Sequence, residues 1–153
     1  MSSVIESLYE IKYNPFIFGD VFVSFYSSLE NVEKNFLLAP LLIPLYSYAN
    51  VRSSVENAVF GEKKRSSIWT VFKDRTLFSD LQERMEKFKK LTEESILYCM
   101  SNDWLSIDAD LLSVTVKQDV HGFPNNNKVA KNLSKLLKGM SLEDVFTFFE
   151  VHL

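Results

Sequence analysis

The spacing of apolar residues changes near residue 103, and this change constrains the fold more than any other feature of the chain. After it, apolar and polar residues alternate over residues 105–108 and 112–116, which is the pattern of half-buried β-strands. We therefore predict a helix followed by an antiparallel β-hairpin with Ala109 and Asp110 at its tip. The helix is predicted because apolar residues before the change recur at steps of three and four, at Leu81, Met85, Phe88 and Leu91.

The limits of this predicted helix follow from the residues at its two ends. Ser79 can cap the first turn, and Gln82, three residues later, can reach back to complete a capping box. Residues 96–100 are apolar on every side, so we expect this end of the helix to be buried all round. A helix that leads into a hairpin in this way is the core of a winged-helix-like module.

The beginning of the chain carries an amphipathic pattern and then a helix start. Residues 4–11 carry a short amphipathic pattern. Asn14 is a good cap residue and Pro15 suits the first helical position, so a helix should begin there and continue through Tyr26.

The most hydrophobic run is residues 36–46. It is too short to cross a bilayer, which takes ~20 apolar residues, and it contains two prolines, so we expect buried core with a kinked or extended path. Residues 61–65 predict an exposed loop. A short helix should follow over residues 66–72, capped by Ser66 or Ser67.

Residues 128–138 predict another helix, which Gly139 ends, and Ser141 caps a last short element. We predict a compact single domain over residues 1–153 that is mainly α-helical with a small antiparallel β-hairpin. Its parts are a helical region 1–77, the helix–hairpin unit 78–118, and a loop with C-terminal helices over 119–153.

Catalytic and metal-binding patterns are not found in the sequence. His121 and His152 have no partner at the spacing of a metal site, and the four glycines stand too far apart for a phosphate-binding loop. The residue types of a catalytic triad are present at Ser113, Asp119 and His121, but geometry rather than composition defines a triad. We expect no enzymatic activity, no cofactor and no metal.

Cys99 is the one cysteine, so the chain has no internal disulfide, and its apolar surroundings predict a packed core thiol. This cysteine usage fits a reducing compartment. The N-terminus has no secretory leader pattern, so we expect a cytoplasmic protein with no membrane contact.

A row of lysines is the first candidate functional feature. Two interpretations stay open: a solvated face that balances a chain of net charge −3, or a salt-dependent contact for DNA phosphates or for an acidic patch of a partner. Lys64 and Arg65 could extend the row. Its members are spaced by three, four and three residues, which places them on one helix face with no acid among residues 128–138; they are Lys128, Lys131, Lys135 and Lys138.

Aromatic residues are the second candidate feature. The chain has 13 Phe, 6 Tyr and 2 Trp, and each one that is buried removes ~150–250 Å² from water. We expect this excess to include a permanent partner surface. On a C-terminal helix Phe146 and Phe149 would share a face while Phe148 points elsewhere, so Phe146 and Phe149 are either core or a hydrophobic interface.

The order of these segments over residues 14–151 resembles a known family. Asn14 and Pro15 open a hydrophobic helix, the run 36–46 follows, and a short helix begins at Ser66. A helix, a hairpin and the lysine-bearing helix then precede a last short element. This order is similar to that of the small middle component of bacterial three-component ABC systems, a group that includes the small subunit of Lamassu-type anti-phage defence.

The resemblance implies a non-catalytic adaptor. Its companions would be an SMC/Rad50-like ABC ATPase, which closes on DNA with a long coiled coil, and an effector, often a nuclease. DNA would be reached through the complex. The alternative is a stand-alone winged-helix-like DNA-binding regulator, which needs a recognition helix with exposed Arg, Asn or Gln. The glutamates among residues 83–94 would repel phosphate and speak against this alternative.

Overall fold

The computed structural model of the protein describes residues 3–30, 32–117 and 122–153. These residues form a mainly helical structure with one antiparallel hairpin, as predicted. The helices are α1 Val4–Lys12, α2 Pro15–Ser28, α3 Ala39–Tyr46, α4 Ala49–Glu56, α5 Ile68–Val71, α6 Leu81–Lys87, α7 Lys89–Ser101, α8 Lys128–Leu136 and α9 Leu142–Phe149. The strands are β1 Leu105–Asp108 and β2 Ser113–Val116, and short 3₁₀ turns lie at Asn35–Leu38 and Arg75–Phe78.

Helix α2 is the central element, and it packs along α7 and α8. It begins as predicted: the Asn14 Oδ1 accepts hydrogen bonds from the amides of Phe16 and Ile17 at 3.1 and 3.2 Å. At Gly19 the helix lies so close to α7 that an added Cβ would stand 3.0 Å from the ring of Tyr98. The Cys99 thiol donates to the Gly19 carbonyl oxygen at 3.5 Å. This close contact fixes α7 against the centre of the fold.

The apolar run 36–46 is buried or half-buried, and it forms a 3₁₀ turn and a helix, so of the two predicted paths, kinked or extended, the extended one is wrong. Its second half is α3, with Leu41 to Leu45 all buried. Pro40 lies in the first turn, where the missing amide donor has little effect, and Pro44 lies inside the helix. Within the described ranges, every helix falls short of the length and apolarity that a bilayer crossing requires.

The helix before the hairpin differs from the prediction in three ways. It consists of two helices, α6 and α7, that meet at Phe88, where the backbone has φ −95° and ψ 9°. The capping box is wrong: the Ser79 hydroxyl donates to the Thr76 carbonyl, and the Gln82 amide binds the main chain of His152. The segment 96–100 is also not buried all round, because Leu97 is 60% exposed.

The hairpin is confirmed, with Leu105 opposite Val116 and Asp108 opposite Ser113. The four residues 109–112 connect the strands and include the predicted tip. The Asp108 carboxylate accepts from two amides of this turn at 2.9 and 3.1 Å, which stabilises it. Asn35 attaches the hairpin to the body, since its Oδ1 accepts from the Val114 amide at 2.7 Å. The winged-helix likeness of this unit stays a prediction.

Candidate functional site

The lysine-bearing helix forms as predicted, and its orientation is set by what it buries. The Asn127 side chain caps α8 by accepting from the Ala130 amide at 3.0 Å. The buried side of α8 includes Ala130, Leu133 and Leu136, together with Asn132, whose amide donates to the Val55 carbonyl at 3.1 Å. The lysines are consequently placed on the outer side: Lys128, Lys135 and Lys138 are exposed, and Lys131 is half-buried.

Two of these lysines have neighbours from distant parts of the chain. Lys138 forms an ion pair with Glu30, with Nζ and Oε2 3.5 Å apart. The Lys135 ammonium lies 5.5 Å from the centre of the Phe60 ring. Lys138 is therefore partly neutralised, while Lys135 belongs to a cation–π contact.

Arg65 also contacts the Phe60 ring. A bridge between Phe60 and Arg65 closes the exposed loop 61–64, and the Arg65 guanidinium lies 5.8 Å from the Phe60 ring centre. Lys135 and Arg65, 70 residues apart in sequence, are thus joined through Phe60. We call the set of Lys64, Arg65, Lys128, Lys131 and Lys135 the basic surface.

Arg65 lines two hollows. One, of about 240 Å³, is lined by Phe60, Arg65, Ser134 and Lys135 among others. The other, of about 360 Å³, includes Lys64 and Arg65. Its remaining polar lining consists of hydroxyl and amide side chains, which are Ser54, Asn57, Ser66 and Thr70.

The aromatic side of α9 is packed into the chain itself. Ser141 and Asp144 form the capping box that starts α9. The resulting phase buries Val145, Phe148 and Phe149 at steps of three and four, so the expectation that Phe148 points elsewhere is wrong. The candidate interface residue Phe149 is 1% exposed and therefore lies in the core, while Phe146 is half-buried.

Helix α1 carries an exposed apolar face, and the sequence pattern alone does not mark it as a surface. A capping box of Ser3 and Glu6 starts the helix, and none of its residues is buried. Its apolar side chains are between 60% and 79% exposed; they are Val4, Ile5, Leu8 and Ile11, and we call them the α1 face. The amphipathic pattern was visible in the sequence, but amphipathicity alone does not tell whether the same chain covers the apolar side.

Aromatic contacts connect the end of α1 to the body of the protein. Tyr9 lies 4.6 Å from Tyr13, and Tyr13 lies 5.3 Å from Phe88, measured between ring centres. Phe16, just after α1, is 73% exposed and stacks edge-on against Tyr98 at 4.9 Å. These contacts involve Tyr9 and the residue after α1, and they leave the α1 face exposed to solvent.

A second exposed aromatic residue borders an open groove of about 710 Å³ between α5, the end of α8 and α9. Trp69 is 68% exposed and meets the edge of Phe148 at 4.8 Å. Arg75 stacks 4.3 Å from the Phe148 ring and donates to the Phe148 carbonyl oxygen. Asp144 and Glu150 also line this groove, so its charges are mixed.

The groups considered for catalysis are placed as follows. Cys99 is fully buried, and this burial raises the pKa of its thiol to about 12, so the reactive thiolate is disfavoured. Asp119 and His121 lie outside the described residues. Ser113 lies in β2, and His152 binds Gln82 only through its main chain. Across residues 3–30, 32–117 and 122–153, no cluster of three His, Cys, Asp or Glu side chains is placed to hold a metal ion.

Comparison of the sequence with models of known protein families gives a match over nearly the whole chain. Residues 2–153 match the family model described as ABC-three component (ABC-3C) system Middle Component 3. Neither the curated proteins nor the solved structures contain a significant match to the chain. Because the family model covers nearly the whole sequence, the chain belongs to the Middle Component 3 family of ABC-three component systems.

Proposed function

We propose that this protein is a non-catalytic adaptor that links an SMC/Rad50-like ABC ATPase to an effector of nuclease type. The complex would act in bacterial anti-phage or anti-plasmid defence, as Lamassu-type systems do. Membership in a family of middle components of ABC systems supports a role between other subunits.

The observation that carries the proposal is the uncovered α1 face. Its four side chains leave on the order of 400 Å² of apolar surface in water, as large as the largest patch of many soluble monomers. Covering this area would contribute about 10 kcal/mol before the entropic costs of association. An isolated helix of nine residues is also only marginally stable, so a partner that packs on α1 would stabilise it.

We propose that the α1 face contacts the ATPase, because its apolar residues have the spacing of a helix–helix seam. Val4, Leu8 and Ile11 follow one another at steps of four and three, which is the spacing of the apolar seam between packed helices. A helix of a coiled-coil ATPase would present the complementary seam. For the effector we retain Phe146, which is half-buried on α9, as the candidate contact.

Co-purification of the chain with the ATPase encoded beside it tests this assignment. Leu8→Lys places a charge on the α1 face and should abolish co-purification without lowering the melting temperature, since Leu8 is 60% exposed. The matched control is Glu10→Lys, which introduces the same side chain on the polar side of α1 and should leave co-purification intact.

Two results would contradict parts of the proposal. Equal retention of Leu8→Lys and the unsubstituted chain would remove the α1 face from the interface. An unsubstituted chain that stays monomeric and does not bind the ATPase would contradict the adaptor role and favour the winged-helix-like regulator.

A further inference from the structure

We propose that the basic surface of this subunit itself binds the phosphodiester backbone of double-stranded DNA. The inference does not depend on the contact between α1 and the ATPase. It starts from the arrangement in which Lys135 and Arg65 lie 5.5 and 5.8 Å from one Phe60 ring, which joins the α8 lysines to the 61–65 loop.

The charge balance of this region is positive in a chain of net charge −3. Among the ion pairs of the described residues, only the one between Lys138 and Glu30 takes a lysine from the α8 row. Of the nearby acids, Glu62 lies in the 61–64 loop, and Glu56 ends α4, where its carbonyl accepts from Asn132. Glu30 lines the hollow next to Arg65 and Lys135, but its carboxylate pairs with Lys138. The five cations of the basic surface therefore outnumber the acids near them, Glu30, Glu56 and Glu62, which leaves a local excess of positive charge.

The lining of the basic surface fits phosphate better than it fits an acidic protein. Interfaces between proteins have a core that is depleted in charge and rich in exposed aromatic or apolar anchors. Here the polar side chains that line the larger hollow beside Arg65 are a cation, hydroxyls and an amide, which are groups that contact phosphate oxygens, and Ala58 and Val71 complete its lining. Val59 is an exposed apolar residue close to this region in sequence, at 45% exposure, and it adjoins Phe60 rather than the lysine row.

The packing of the Phe60 ring favours binding of duplex rather than single-stranded nucleic acid. Binding of single strands depends on open aromatic rings on which bases stack. The Phe60 ring is half-buried and already in contact with Lys135 and Arg65, so it does not offer a free stacking platform. From Lys128 to Lys135 the basic surface extends ~10 Å along α8, and duplex DNA carries a charge every ~1.7 Å of its axis. Several phosphates can therefore approach the row at once.

Fluorescence anisotropy with a labelled 20-base-pair duplex of arbitrary sequence tests the proposal on the full chain. With about four phosphate contacts, the affinity should fall roughly 100-fold between 50 and 200 mM salt. Arg65→Gln and Lys135→Gln should each reduce the slope of log affinity against log salt by about 0.9. The double variant Lys131→Glu, Lys135→Glu should abolish binding while circular dichroism stays unchanged.

The control is Lys90→Gln, which removes the same charge from α7, where Lys90 is exposed and paired with Glu94. An equal loss of affinity in Lys90→Gln and Lys135→Gln would show a general charge effect and overturn the proposal. Absence of binding at 50 mM salt would overturn it too. Tighter binding of a poly-glutamate peptide than of the duplex would assign the basic surface to an acidic partner instead.

Discussion

Replacing Phe149 with alanine separates a core role from an interface role for the aromatic side of α9. Phe149 is 1% exposed and has three aromatic neighbours, whose ring centres lie 5.0 to 5.8 Å away in Phe148, Phe78 and Phe72. Removal of a phenyl ring from such a site costs about 3–5 kcal/mol, because both the transfer energy and the cavity contribute. Since 1 kcal/mol corresponds to about 2–4 °C in a protein of this size, the melting temperature should fall by about 10 °C.

Phe146→Ala is the matched variant, because Phe146 lies on the same helix and is only half-buried. We expect it to cost about 1 kcal/mol, in line with partial burial. Urea unfolding followed by far-UV circular dichroism measures both values, and co-purification with partner subunits measures binding. A loss below about 1 kcal/mol for Phe149→Ala, together with lost partner binding, would refute the core assignment and restore Phe149 as an interface residue.

Two further predictions concern the contact between α2 and α7. Gly19→Ala should destabilise the protein by about 1–2 kcal/mol, although alanine has the better helix propensity. The new Cβ would lie 3.0 Å from the Tyr98 ring, which packs edge-on against both Phe16 and Trp104 and so has little room to move. An unchanged urea midpoint would contradict this. Cys99 should resist iodoacetamide in the folded protein and react in urea, and fast native labelling would refute its burial. Because the pKa of the folded thiol is raised from 9.0 to about 12, stability should be lost as the pH rises through this interval.

The elements that the sequence predicted correctly have strong local signals. Asn14 and Pro15 define the start of α2 without help from the rest of the chain, and strict alternation defines β1 and β2. The capping box at Ser79 failed because Gln82 finds a partner 70 residues away in the main chain of His152, and this partner is invisible to local reasoning. Helix α4 was missed because its sequence is mostly polar, with only Val51 and Val55 on its buried side.

For the candidate surfaces too, local sequence signals were sufficient for some features, while others depend on the tertiary fold. The spacing of the lysines was enough to predict the outer side of α8, because the helix period alone determines which residues share a face. The convergence of Arg65 and Lys135 on Phe60 depends on the tertiary fold and was only a possible extension in the sequence. Helix period also could not tell which side of α9 is buried, or that the apolar side of α1 remains in contact with solvent.

Arg84 is predicted to stabilise the protein through the end of α3 rather than through its ion pair. Its side chain is 12% exposed, donates to the Pro44 carbonyl and to the Ser47 hydroxyl, and lies 4.7 Å from the Tyr48 ring. The carboxylate of Asp80 is 3.8 Å away but 53% exposed, so this pair should contribute little.

Arg84→Ala should cost about 2 kcal/mol, since a charged donor and buried packing are both lost. Arg84→Lys should recover only part of this, because an ammonium reaches the carbonyl but does not stack as a guanidinium does. Asp80→Asn should cost less than about 0.5 kcal/mol in the same urea titration. A larger loss for Asp80→Asn than for Arg84→Ala would show that Arg84 acts mainly through its ion pair within α6 and not through its contacts with the end of α3.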